Sequence, residues 1–425
     1  MSSSFLSFHR QSFHFDTEDT GQAYTQVQIQ HPSRAAPGPP SQRRTVLDAG
    51  PTCTFPDPAK RMLTAMRHLR WHALLVDRAV LAVEGADSKK LLQGLTTADV
   101  DALEAGPLYT AFLSAQGRVL FDAFLVAGPG GSVLLDVEQQ AVTGLAAHIK
   151  RYMLRSKATV RDASSEYQVV AAAGSSAAGA VANPPTAGSP CEGGVWVDPR
   201  LPSLLGYRVL HRREATRPAW LDGSAETSAA LYAFQLSLLG VPCGARDLPP
   251  SEALPLESNL ELLNAISFHK GCYLGQELTA RTKFRGVVRK RLLPVVDAQR
   301  WPSHSSSNVG GAAAAETSMH AFSHLPYAER TLAERLLSAS DTGQKQLPSS
   351  AHDESEPSDD EGTLRDPRGG KAATLRSFNT TLGIGMALCR LDALREGALL
   401  VAPHRPPLIP LKPTWWPDEV LKSPQ

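Results

Sequence analysis

Lys270-Gly271-Cys272-Tyr273-Leu274-Gly275-Gln276-Glu277 is the stretch that decides the fold, and it lies within the chain's densest run of chemistry-bearing residues, 250 to 297. Glycines flank the cysteine on both sides. Glycine permits positive-φ backbone and close approach of a ligand or partner, so a tight bend around the thiol is expected. Residues 276–282 favour helix, which sets Cys272 about one turn before a helix N-terminus. Backbone amides and the helix dipole there stabilise a thiolate, and His269 and Lys270 add positive charge, so a lowered thiol pKa is expected. A thiolate is a nucleophile or an iron ligand. The same residues, taken alone, equally describe a buried cysteine acting as a small apolar side chain.

Upstream, Pro250-Ser251-Glu252-Ala253-Leu254-Pro255-Leu256-Glu257 leads into a helix-like Asn259-Leu260-Glu261-Leu262-Leu263. Downstream, residues 287–292 read as a basic strand carrying Arg289, Lys290 and Arg291. These cations suit a contact surface, and equally an ordinary solvated face.

The five cysteines, Cys53, Cys191, Cys243, Cys272 and Cys389, are odd in number and widely spaced. That argues against a disulfide framework and for a reducing compartment. No CxxC pair and no Cys/His cluster at zinc-finger spacing occurs, so a self-contained metal site is not expected. Formal net charge is +1 over 425 residues, which gives no global field toward nucleic acid or anionic membrane. No stretch approaches the roughly 18 apolar residues of a spanning helix, and the chain reads as soluble.

The start of the chain is Ser-rich with no acidic residue before Asp16, as in an organellar transit peptide. A second segment, Lys60 to Arg70, alternates cations with Met62, Leu63, Met66 and Leu69. It fits an amphipathic targeting helix or a surface helix leading into the fold. Residues 1–66 as a whole are polar and Pro-rich and read as a disordered or cleaved tail. Order is expected from near Trp71. Apolar strands follow at 73–76 and 79–83, then a helix from Asp87, a hairpin of 109–113 with 118–126, a strand at 132–137 and a helix at 138–153. Residues 171–194 read as a loop insertion. Strands resume at 195–197 and 207–210, and a helix spans about 225–239, ended by Gly240. Irregular alternation of strands and helices makes the fold class α+β. Residues 301–369 have a linker's composition, including the acidic run at 353–361, and a strand pair is expected at 382–391 around Gly383 and Gly385.

The run from Pro255 to Val295 resembles the signature of the YgfZ-type branch of the folate-binding, glycine-cleavage T-protein (aminomethyltransferase)-like family, whose core is K-G-C-[FY]-x-G-Q-E. Residues 91–100, 116–122, 151–157, 198–200, 385–388 and 413–417 are also similar to that family. The resemblance implies an aminomethyltransferase-like folate-binding core at 67–285. It also implies a small C-terminal β-barrel assembled from 286–300 and 370–425, with a disordered N-terminal tail and a long insertion at 301–369. It implies an iron–sulfur cluster assembly factor for [4Fe–4S] proteins of the mitochondrial matrix, a plastid being the alternative compartment. A-type carrier proteins would be its partners, with neither membrane nor direct nucleic acid. Cys272 would be the reacting thiol and a cluster ligand shared with a partner, because one thiol cannot supply the roughly four ligands a cluster needs. Tetrahydrofolate is the cofactor the family suggests, with Asp122, Lys270, Gln276, Glu277 and Arg281 as binding candidates. The alternative activity is tetrahydrofolate-dependent one-carbon transfer of the aminomethyltransferase type, although no turnover of its own is expected.

The chain departs from the family at three positions; the first weighs against folate chemistry, and the other two are consistent with a loosened folate pocket or with divergence alone. Arg208 stands where aminomethyltransferases carry the glutamate that reads the pterin, and guanidinium offers no acceptor. Cys243 stands where relatives often have glutamate, and Leu236 replaces a usual arginine.

Overall fold

The computed structural model describes residues 57–173, 193–215, 221–301, 362–394, 399–403 and 405–421, all within one compact unit, Ala49–Gln425. The chain opens on helix α1 (Asp57–His68). Its apolar residues recur at helical spacing, and Ala59, Met62, Ala65 and Met66 are each at most 1% exposed in the main core. The expectation that order begins near Trp71 is therefore corrected. Two buried methionines at about 1.5–3 kcal/mol each are reason enough for this segment to belong to the fold. The reading of Lys60 to Arg70 as a targeting helix falls with it, because the apolar face is already covered. The rest of the expected tail, residues 1–56, lies outside the described residues.

Strands β1 (Trp71–Leu74) and β2 (Arg78–Glu84) follow, then α2 (Ser88–Leu95), β3 (Leu108–Leu113), β4 (Val119–Ala127), β5 (Val133–Glu138) and α3 (Val142–Met153). After β6 (Thr159–Asp162) and β7 (Tyr167–Ala173) come β8 (Gly193–Val197), β9 (Tyr207–Arg212) and the short β10 (Ala225–Glu226). Two five-stranded sheets result, ordered β3-β4-β5-β2-β6 and β10-β1-β7-β9-β8. All pairs are antiparallel except β1 with β10. The sheets face each other across one core, holding Val80, Tyr109 and Phe124 from the first and Trp71, Val169 and Leu210 from the second. The other face of the first sheet is covered by α2 and α3 through Leu91, Leu92, Leu95, Leu145 and Ile149. The insertion expected at 171–194 falls mostly on residues outside those described.

Helix α4 (Ala229–Leu239) begins later than expected because Ala225–Glu226 is drawn into the sheet beside β1. Ser228 caps it by accepting from the Ala230 amide at 3.2 Å. Gly240 ends it in the left-handed region at φ +70, and the short helix α5 (Gly244–Asp247) follows. A Cβ at Gly240 would lie 2.8 Å from Pro294, so the C-terminal barrel packs directly on this cap. The helix expected at 259–263 is absent. Asn259 and Asn264 hold positive φ in a series of turns, and Asn259 spends its amide on the Leu292 carbonyl at 2.7 Å.

The third sheet combines β11 (Lys290–Asp297) with β12 (Thr363–Arg365), β13 (Lys371–Asn379), β14 (Ile384–Arg390) and β15 (Leu408–Pro410), in the order β12-β13-β14-β11-β15. The expected basic strand starts at Lys290 rather than 287, and the span 382–391, read as a strand pair, holds one strand, β14, whose hairpin partner β13 precedes it. Because β12 pairs with β13, the barrel resumes at 363, inside the span read as insertion. Residues 302–361 lie outside the described residues. Among the described residues, no helix is long and apolar enough to cross a membrane.

Candidate functional site

Residues 267–275 form a loop fixed on both sides of Cys272 and open at the thiol itself. Before the cysteine, the Ser267 amide donates to Thr97 O at 2.9 Å. The Lys270 ammonium donates to three carbonyls at the end of α2, Gln93 at 2.8 Å, Thr96 at 2.9 Å and Ala98 at 2.6 Å. Helix α2 has no basic residue in its last turn, so its free C-terminal carbonyls receive this cation from elsewhere in the chain. Burial draws Lys270 down to about 8, against the pull of Asp99 and Asp101. After the cysteine, the Leu274 amide donates to Gly94 O at 3.0 Å. Gly275 takes φ +77, and a Cβ there would sit 2.3 Å from Ser114 O in the β3–β4 turn. Gly117 of that turn abuts Gly275 in return, since its own Cβ would lie 2.9 Å from Gly275 O. The sequence therefore requires glycine at 275 and 117. Gly271 is different: its φ is not positive and nothing lies within 4 Å of an added Cβ. The approach to the neighbouring thiol is open on that side, and Cys272 is exposed.

Helix α6 (Gln276–Arg285) starts immediately after the loop. Gln276 turns back, its side-chain oxygen accepting from the Tyr273 amide at 3.4 Å. Glu277 and Arg281 point into solvent, with side chains 91% and 62% exposed and a contact of 3.9 Å between them. An exposed pair of that kind contributes little. Lys270 and Gln276 thus hold the loop, while Cys272, Glu277 and Arg281 face outward.

Asp122 lies elsewhere, on β4 between the first two sheets, where it is 6% exposed and accepts from the Tyr109 hydroxyl at 3.1 Å. It belongs to an interior polar network that the sequence did not announce. Asp136 accepts from Arg78 at 2.7 Å and from Arg208 at 2.5 Å. Burial opposes its charge, but the two guanidinium groups hold its pKa below the usual carboxylate value. Asp198 accepts from Arg200 at 3.0 and 2.7 Å, and the Tyr232 hydroxyl accepts from Arg200 and Arg208 at 2.5 and 3.0 Å. Arg208 and Arg200 also lie over the Phe124 ring at 4.1 and 4.9 Å. Cys243 faces this group from its edge. Burial pushes its thiol up to about 12, despite Arg78 and Arg200 nearby. It shares no partner with Cys272. Among the described residues, no three His, Cys, Asp or Glu side chains are grouped to hold a metal ion.

A family model described as the CAF17 C-terminal β-barrel domain matches residues 289–418. In Mycosarcoma maydis, a protein named mitochondrial iron–sulfur cluster assembly factor IBA57 homolog is 40% identical over 261 residues, 58% of this chain and 62% of that one. Its namesake in Homo sapiens is 39% identical over 243 residues, 53% of this chain and 66% of that one. The chain is thus similar to mitochondrial iron–sulfur cluster assembly factors named IBA57. It spans about six-tenths of the length of the curated relatives it matches. Among solved structures, the glycine cleavage system aminomethyltransferase T from Bartonella henselae covers 84% of this chain and 89% of its own length. The TM-score is 0.54 at 14% identity, so the likeness concerns the fold alone.

The resemblance to folate-binding aminomethyltransferases raises the question of folate, and the residues present do not fit it. The position that reads the pterin in aminomethyltransferases is Arg208, already paired with Asp136 and Tyr232. The free space between Arg208, Asp136, Phe124 and Trp196 is about 10 Å³, room for about one water molecule. Sites for drug-sized ligands run to roughly 300–1,000 Å³. Of the five binding candidates, Asp122 is the one in this interior; the others lie on the Cys272 loop and α6.

Proposed function

We propose that the chain is an iron–sulfur cluster assembly factor of the mitochondrial matrix, serving maturation of [4Fe–4S] proteins together with A-type carriers. The observation that carries this reading is the exposed Cys272 thiol, standing without co-ligands on a loop fixed at both ends. One thiolate cannot hold a cluster, so Cys272 acts as a shared ligand: it gives up its proton to solvent, binds iron, and the partner supplies the remaining ligands. The cluster is cargo. The mitochondrial names of the relatives support the compartment. One-carbon transfer is the weaker reading, because the position that reads the pterin is Arg208, a donor already paired with Asp136, and the space beside it holds about one water molecule.

The test is Cys272→Ser. With a cluster-loaded A-type carrier, the wild-type chain gives a complex with its own visible circular dichroism, and the serine variant gives none while melting at the same temperature. In cells, loss of the chain lowers [4Fe–4S] enzymes and spares [2Fe–2S] enzymes. Full rescue by the serine variant, or turnover of an aminomethyl donor with tetrahydrofolate, overturns the proposal.

A further inference from the structure

Helix α6 contributes little to the core: Thr279 is its one buried residue. A helix polar on nearly all sides is not held by its own packing, so its sequence answers to something else. What it presents is an apolar spot within a basic field. Phe284 is 69% exposed and Val287 is 49% exposed, where most large apolar side chains among the described residues are covered. Phe284 packs edge-on to Phe268, with ring centroids 5.8 Å apart and planes at 79°. Phe268 is itself packed against the main core and stands four residues before Cys272. The outer ring is thus held in position by an anchored one. Along the same stretch of chain, Arg281, Lys283, Arg285, Arg289 and Lys290 are all exposed, and the Lys283 ammonium lies over the Phe268 ring at 5.4 Å. Glu277 is the single carboxylate from 276 to 290, so five cations face one anion here, while the whole chain nets +1. Arg291, read from the sequence as part of this surface, points inward instead, to Glu261 at 2.8 Å.

We infer that Phe284 and Val287, rimmed by Arg281, Lys283, Arg285, Arg289 and Lys290, form the docking face for an acidic partner protein that offers an apolar socket beside Cys272. The inference rests on the assembly reading and adds where the partner seats. Interfaces concentrate their energy in a few aromatic anchors ringed by polar contacts, and Phe284 has that setting. The cations steer and orient an acidic surface and make association salt-dependent. A nucleic acid would use the cations but has no socket for Phe284, and the aromatic pair is tied edge-on rather than laid open as a stacking platform.

The probe is a purified A-type carrier without its cluster, so that docking is read apart from ligand exchange. Against the full chain, Phe284→Ala is expected to weaken binding about tenfold or more. The double change Lys283→Glu with Arg285→Glu weakens it further at low salt, and the difference closes at high salt. Cys272→Ser binds the cluster-free carrier within about threefold of wild type, since its thiol is not yet engaged. Phe284 is exposed, so its variant keeps the melting temperature. Carrier bound by wild type and equally by Phe284→Ala overturns the docking face and leaves the assembly reading standing. Failure of the wild-type chain to bind the carrier overturns both. Transfer RNA binding that depends on the same residues and displaces the carrier overturns the protein partner.

Discussion

Lys270→Met removes the cation from the three carbonyls of Gln93, Thr96 and Ala98 while keeping most of the side-chain volume. Hydrogen bonds to a charged group are worth about 1.5–3 kcal/mol each where water is excluded. This site is partly wet, so water recovers much of that, and a net cost of about 2 kcal/mol is expected for the loop. The cost falls on local opening, which at about 1.36 kcal/mol per decade raises exchange roughly 30-fold. The assay is amide hydrogen exchange at Leu274 and Ser267, whose amides donate to Gly94 O and Thr97 O. Amides of the β2–β5 ladder, such as Leu81 and Leu135, serve as the unaffected reference. The pH dependence follows from the same residue: opening the loop returns Lys270 to water and to its ordinary value, so between about 8 and 10.5 the open state holds more protons and opening becomes harder as pH rises, a trend absent from the variant. Global stability moves the same way. With the folded value depressed from 10.5, the unfolded chain holds more protons between 8 and 10.5, so this residue's contribution rises with pH there and is absent in the variant. Exchange at Leu274 and Ser267 within about threefold of wild type would refute the clamp.

Arg208→Leu leaves the buried Asp136 carboxylate with Arg78 alone and is expected to cost about 3–5 kcal/mol in urea denaturation, whereas Arg208→Leu with Asp136→Leu recovers most of it. A single variant as stable as wild type refutes the pairing. Cys243, pushed up to about 12 by burial, is expected to resist alkylation under conditions that label Cys272, with peptide mass spectrometry as the readout. Because the unfolded thiol ionises near 9 and the folded one does not, stability falls as pH rises from about 9 toward 12, and Cys243→Val removes that fall.

The parts of the fold legible in the sequence were those where one period or one residue type decides. The β3–β4 hairpin with Gly117 in its turn, α2 with Leu91, Leu92 and Leu95 on its inner face, and Gly240 ending α4 follow from local rules. Helix α1 was missed because its apolar face sits in a Pro- and Ser-rich neighbourhood, and composition outweighed the spacing of Met62 and Met66. Turns replaced a helix at 259–263 because a side chain distant in sequence, Arg291, competes for Asn259. In the site, Cys272 was legible and its clamp was not. Lys270 read as cationic character beside the thiol, while its partners lie more than 170 residues earlier. The missing basic cap of α2 was the one available signal. Exposed Phe284 carries no periodic signature at all.

The interior pairs and the exposed thiol are connected through the first two sheets. Arg208 on β9 reaches Asp136 on β5, so one ion pair ties the two sheets across the gap between them. Replacing such a pair by matched apolar residues is often neutral or stabilising, so the pair bears on the position of the sheets more than on net stability. What it positions follows from the chain. The sheet that holds Asp136 also holds β3 and β4, whose turn presses Gly117 against Gly275. The same sheet carries α2 on its outer face, and α2 supplies the carbonyls that hold Lys270. Both anchors of the Cys272 loop therefore sit on the sheet that the interior pairs lock. The interior ion pair therefore bears on where the exposed thiol stands, through the sheet that carries both anchors of its loop.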